Sequence, residues 1–300
     1  MSQYYDKQSD CGRNAILPLE TVTRILSFFE FHEMIQCRRV STHWKTAVSK
    51  IQTIHLDLRD DATCYASVNA VTTFFDNLAN ISIANKNDVN PFWMQNILSK
   101  HSNVEYIRID GDYFDADVLV RSLHDNHAAN LKSLELEHVK FDDFLGLNQL
   151  LRIKAPSLNV LRLIDIRFHL IFDGPDPNEC VSLSTTIGKM QNLEVLVLDD
   201  CDIQYFDAVA LFSGMARLRK LEICNPDEIT LVMIARCCPR LEELTLRYCF
   251  DITPDDVIQV VKCCPIRDLT LEDFQGRSWR GFTKKRIFDA SSALINLSTR

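Results

Sequence analysis

The chain has 300 residues, 46% hydrophobic and 25% charged, which suits one large or two small domains with a buried core. Eight glycines and nine prolines exclude long flexible linkers and collagen-like structure, and no run reaches the roughly 18 apolar residues of a membrane span. The net charge of −8 is uneven: +2 over residues 1–50, −15 over 51–275 and +5 over 276–300. So acidic a middle repels phosphate backbones, so nucleic acid is not expected as a partner.

The chain opens Met1-Ser2-Gln3-Tyr4-Tyr5-Asp6, with no basic cap and no apolar core of a secretory signal. Residues 1–14 are expected to be disordered, and the protein to be cytoplasmic, nuclear or both. Its 11 cysteines then sit in a reducing compartment as buried thiols. No Cys-x-x-Cys pair occurs, and adjacent doublets such as Cys237-Cys238 do not converge on one tetrahedral metal, so no metal is expected.

Residues 17–50 read as three short helices. Pro18 suits an early helical position, and Leu19, Val22, Ile25, Leu26 and Phe29 form an apolar stripe behind it. A second helix is expected through Glu33–Cys37. Ser41 is the expected N-cap of a third, with Trp44, Ala47 and Val48 on one side. Three helices in so short a span make a poor core, so an outside surface is expected to cover part of it.

Leu17-Pro18-x-Glu20, the Ile25-Leu26 pair, Phe28-Phe29, Met34-Ile35 and Val40-Ser41-x-x-Trp44 occur in this order. The run resembles the F-box motif and places an F-box at 15–50. That resemblance implies docking on the Skp-type adaptor of a cullin–RING ubiquitin ligase, with Leu17, Pro18, Ile25, Leu26 and Trp44 at motif positions. Leu17 and Pro18 are expected at the adaptor interface, Trp44 between core and interface edge, and Val22, Phe29 and Met34 in the core.

After residue 50 an apolar-x-x-apolar-x-apolar run recurs nine times, starting at Ile51, Leu78, Val104, Leu131, Leu158, Leu193, Leu218, Leu241 and Ile266. Its last apolar-x-apolar step has the period of a strand with one buried face. Helical stretches are expected between strands, at Ala116–Asn126, Asp143–Arg152, Asp207–Met215, Glu228–Cys237 and Asp255–Cys263. Such units bury their apolar faces by stacking in register. The one 35-residue spacing, between the fifth and sixth starts, is expected to add a loop near Phe172–Glu179.

The pattern resembles the leucine-rich repeat. Cys201 and Cys249 close two repeats as in its cysteine-containing subclass, while Asp112, Val139 and Ile166 stand at that position in earlier ones. The expected fold class is therefore α/β: a short three-helix F-box, then at 51–275 a curved solenoid of about nine repeats, with a parallel concave sheet and helices on the convex side. Residues 276–300 are expected to form a basic tail or cap.

Concave positions are mostly polar, but the fifth and sixth repeats place Val160, Arg162, Ile164, Val195 and Val197 there. This is the expected target-binding patch, with Glu135, Glu137 and Arg162 setting charge preference. The alternative is that the long loop or the tail covers it. Phosphate-loop, dinucleotide, zinc-protease and nucleophile-elbow motifs are absent, so neither catalysis nor a cofactor is expected. The pair His124/His127 and the acids Asp110, Asp112, Asp115 and Asp117 read as surface groups. The resemblance implies a substrate-recognition subunit of an SCF-type ligase. The alternative is a protein-binding repeat scaffold or inhibitor with no ubiquitin-ligase role.

Overall fold

The computed structural model describes residues 17–58, 61–84, 92–111, 119–120, 122–123, 129–141, 144–168, 177–202, 206–273 and 284–299. Three helices come first: α1 (Leu19–Leu26), α2 (Phe31–Cys37) and α3 (Thr42–Ser49). Pro18 precedes α1, where its missing N–H costs no hydrogen bond, and Glu20 lies in the positive first turn. The Glu33 carboxylate accepts from the backbone N–H of Glu30 at 3.0 Å and so holds the start of α2. Ser41 caps α3 as expected, its hydroxyl accepting from the N–H of Trp44 at 3.3 Å.

Ten strands then form one parallel sheet: β1 (Thr53–Asp57), β2 (Asn80–Ala84), β3 (Tyr106–Asp110), β4 (Ser133–Glu137), β6 (Val160–Ile164), β8 (Val195–Asp202), β9 (Lys220–Cys224), β10 (Glu243–Arg247), β11 (Asp268–Glu272) and β12 (Asn296–Thr299). Spatial order follows chain order, the mark of a solenoid in which each repeat meets only its neighbours. Register is fixed by the repeat. Leu134 pairs with Leu161, Leu161 with Leu196, Leu196 with Leu221, Leu221 with Leu244, Leu244 with Leu269, and Leu269 with Leu297. A second, two-stranded parallel sheet joins β5 (Lys140–Phe141) to β7 (Arg167–Phe168).

In β3, β4 and β6 the leucines and isoleucines pointing inward are fully buried, and the alternate residues are half-buried. The helices between them cover the other side. They are α4 (Asp61–Phe74), α5 (Phe92–Lys100), α6 (Phe144–Lys154), α7 (Pro177–Gly188), α8 (Ala208–Phe212), α9 (Glu228–Cys237), α10 (Pro254–Cys263) and α11 (Lys284–Ala290). Asp207, Asp227 and Thr253 cap α8, α9 and α10 by accepting from backbone N–H groups one turn on. One hydrophobic core runs without a break from Val22 and Leu26 to Ile287 and Leu294.

Three expectations need correction. The sheet has a tenth strand, β12, in the basic segment, with Leu294 and Leu297 in repeat phase. The segment caps the ninth repeat with α11 and β12, and the Arg286 guanidinium binds the Asp255 carboxylate at 2.7 Å in the first turn of α10. Pro177–Glu179, read as loop, begin α7. Helix α8 is shorter than its expected span and ends at Phe212. Much of the expected helix at 116–126 lies outside the described residues, as do 169–176, 274–283, His124/His127, and Asp112, Asp115 and Asp117.

Candidate functional site

The first candidate surface is the three-helix knob. Val22 and Leu26, four apart on α1, point inward with Met34, Ala47 and Val48. This removes Leu26 from the docking set: its side chain is 0% exposed and is core. Ile25 and Trp44 are half-buried, with Trp44 packed against the core. Leu17 is 46% exposed and Pro18 is exposed too. Their backbone is held from behind, because Nε2–H of His43 on α3 donates to the Leu17 carbonyl at 2.8 Å. A rigid apolar edge thus faces solvent.

Phe28 and Val40 are 82% and 64% exposed, though neither was expected to dock. Phe28 stands just past the end of α1, outside the expected stripe of Leu19, Val22, Ile25, Leu26 and Phe29. Phe28 borders a cleft of about 850 Å³, which also takes in Phe29, His32, His55 and Ser82. The cleft lies where the knob meets the first two strands of the solenoid.

The seam is tight elsewhere. The Arg38 guanidinium lies 3.4 Å from the centre of the Phe74 ring, at the end of α4. Phe31 stacks on Phe75 at 6.0 Å, and Lys50 binds the Asp76 carboxylate at 3.1 Å. Arg38 is thus held at the seam by an aromatic face of the first repeat.

The second candidate surface is the concave face of the sheet. Tyr106 on β3 donates its hydroxyl to Glu135 on β4 at 3.1 Å; burial and the Glu135 charge push its phenol up to about 12. Arg108 binds Glu137 at 2.6 Å, and Arg162 lies 3.9 Å from Glu135. Beside them Val160 pairs with Val195 and Arg162 with Val197. Val160, Ile164 and Val195 are half-buried. Val197 is only 1% exposed between its register neighbours Arg162 and Glu222, so it is closed in on the concave face and offers no contact surface.

Further along, Arg247 gathers three carboxylates from three strands: Asp199 at 2.5 Å, Glu222 at 2.7 Å and Glu272 at 3.2 Å. Lys220 binds Glu243 at 2.9 Å. At the strand ends, His138 donates from Nδ1 to Asp110 at 2.9 Å, with Asp165 at 3.9 Å from Nε2.

Most of the described thiols are core, as expected, but Cys263 is exposed and Cys37 and Cys237 are half-buried. Cys201, Cys238, Cys249 and Cys264 are buried, and burial pushes Cys201, Cys249 and Cys264 up to about 12 and Cys238 up as well. Cys201 donates its S–H to the Leu163 carbonyl at 3.3 Å, joining two repeats. Among the described residues, no three His, Cys, Asp or Glu side chains are placed to hold a metal ion, and no helix is long and apolar enough to cross a membrane.

The F-box domain family matches residues 15–55. A search of curated protein sequences finds no match. Solved structures of similar form include the TLR13–ssRNA13 complex, with 16% identity, TM-score 0.48, 76% of this chain covered and 33% of the other. The chain therefore spans about a third of that relative. The leucine-rich repeat-containing protein LegL7 from Legionella pneumophila has 13% identity, TM-score 0.49 and coverages of 83% and 82%. The yeast Rad7 and Elc1 complex has 12% identity, TM-score 0.43 and coverages of 92% and 86%. The repeat assignment rests on this chain's own periodicity, register and buried ladder. The chain is an F-box domain followed by a leucine-rich-repeat solenoid.

Proposed function

We propose that the chain is the substrate-recognition subunit of an SCF-type cullin–RING ubiquitin ligase. The knob docks on a Skp-type adaptor, and the concave face holds a target protein. The chain performs no chemistry. It works by raising the target's effective concentration at the ligase. The observation that carries this reading is the solvent-facing Leu17-Pro18 edge, fixed by the His43 bond within a matched F-box domain. A half-exposed Leu beside a Pro is the kind of apolar edge that a foreign surface covers. Ile25 and Trp44, half-buried, contribute at its margin. On the other face, Glu135, Glu137, Val160, Arg162, Ile164 and Val195 make the target contact, beside Val197.

The test is co-expression of the full chain with a Skp-type adaptor. The adaptor co-purifies with the wild-type chain and is lost with the double substitution Leu17→Ala and Pro18→Ala, while circular dichroism stays unchanged. Both positions are exposed, so the fold survives. An adaptor retained at wild-type level by the folded double variant rejects the reading.

A further inference from the structure

The outward positions of the ten strands carry nine carboxylates and four Lys or Arg side chains. The four cations are already engaged. Arg108 is taken by Glu137, Arg162 lies nearest Glu135, Lys220 is taken by Glu243, and Arg247 by three acids at once. The surplus is therefore negative, and it is not spread evenly. On β8–β11, Asp199, Glu222 and Glu272 all turn to Arg247, and among the described residues Asp268 meets the neutral Asn296 amide, at 2.5 Å. The apolar pair Val160–Val195 lies directly beside this acidic region, one strand from β9.

We infer that the concave face takes a protein segment with an apolar anchor seated on Val160 and Val195, followed by Lys or Arg residues lying over β9–β11. This rests on the reading that the concave face holds the target, and adds its chemistry. Strands about 4.8 Å apart put β8 and β11 about 14 Å from each other. An extended segment covers that distance with about four residues, so the basic residues fall within four or five positions of the anchor. A cationic partner relieves the crowding of carboxylates around Arg247, whereas an anionic one meets strand cations that, among the described residues, each already lie beside a carboxylate. An acidic or phosphorylated segment is thereby excluded.

The test uses the full chain and three labelled 12-residue peptides, read by fluorescence anisotropy. The first carries a Leu pair followed by four Lys, the second has Glu in place of Lys, and the third has Ala in place of Leu. The first binds, the second does not, and the third is weakened. Binding of the first falls steeply from about 50 to about 200 mM salt. Glu222→Gln with Glu272→Gln weakens it about fivefold or more, with Asp199 left to hold Arg247. Glu228→Gln with Asp251→Asn removes as much charge away from the concave face and changes nothing.

Binding of the Glu peptide as tight as that of the Lys peptide overturns the inference. So does equal weakening by both double variants, or no binding of any peptide. Adaptor co-purification is measured on the same preparations. Retained adaptor with a failed peptide result rejects only this inference. Lost adaptor with the peptide result intact rejects only the ligase reading.

Discussion

His138 sits where the chain leaves β4 with a positive φ of 56°. Asp165, Asp200, Asn225, Tyr248 and Asp273 turn the same way, each seven residues after its repeat start. Asp, Asn and His tolerate this left-handed region better than most side chains. From that turn the imidazole faces Asp110, Asp165 and Glu137, and the Asp110 hydrogen bond raises its pKa above the ordinary 6.5. A base whose pKa is raised on folding stabilises the fold fully below the unfolded value and loses that increment as pH rises through the folded value. Buried His101 has its pKa lowered by burial and acts in the opposite sense, so the signal lies in a difference. Urea midpoints of wild type minus His138→Gln decrease from pH 6 to pH 8. A difference independent of pH rejects the assignment. The side chain is 42% exposed, so solvent screening keeps the effect small. Such contacts were not legible in the sequence, where His138 is one polar residue after a strand. The same limit hid Val197: alternation puts it outward, correctly, but only the structure shows it closed in beside Arg162 and Glu222. Leu26 was readable in part, because it stands four residues from Val22 in the apolar stripe; that Ile25 in the same stripe is only half-buried came from the structure.

Among the elements, α7 meets α8 and the turn after it at two glycines. A Cβ on Gly188 would run into the carbonyl oxygens of Ala210 and Leu211, and one on Gly214 into the carbonyl of Gly188. All of these are backbone atoms, which do not step aside as a side-chain tip does. Gly188→Ala is expected to cost about 1–3 kcal/mol by overpacking, despite the better helix propensity of Ala. Urea unfolding measures this, and a stability equal to wild type would mean that the helices stand further apart. The strands were the most legible elements, because a repeat with a two-residue step at its end has one way to bury itself. The tenth escaped because Leu294-x-x-Leu297 ends in Thr299 where the others place an aliphatic residue. Helices α4, α5 and α7 were not anticipated, although Asp61, Asn90-Pro91 and Asp176-Pro177 carry the acidic, N-cap and first-turn proline signals of a helix start. Glu228–Cys237 was legible to the residue, with its Asp227 cap and apolar face.

Over the whole molecule, the unbroken core makes the knob part of the solenoid. Three helices of 8, 7 and 8 residues cannot bury enough apolar surface alone. They complete themselves against the first repeat through Phe31 on Phe75, Lys50 on Asp76 and Arg38 over Phe74. That coupling sets the knob's orientation relative to the concave face, and so the direction in which a held target is presented. The Arg38–Phe74 contact is its most specific part, because a guanidinium half-withdrawn from water needs the ring face to offset its desolvation, and burial alone lowers the Arg38 pKa. Phe74→Leu keeps apolar volume and removes the ring. We expect it to cost about 1–2 kcal/mol, and to speed amide hydrogen exchange in α2 while leaving β10 unchanged, since repeats feel mainly their neighbours. Faster exchange throughout would place the contact in a globally cooperative unit. Unchanged exchange in α2 would show that the knob is held by Phe31 and Lys50 without it.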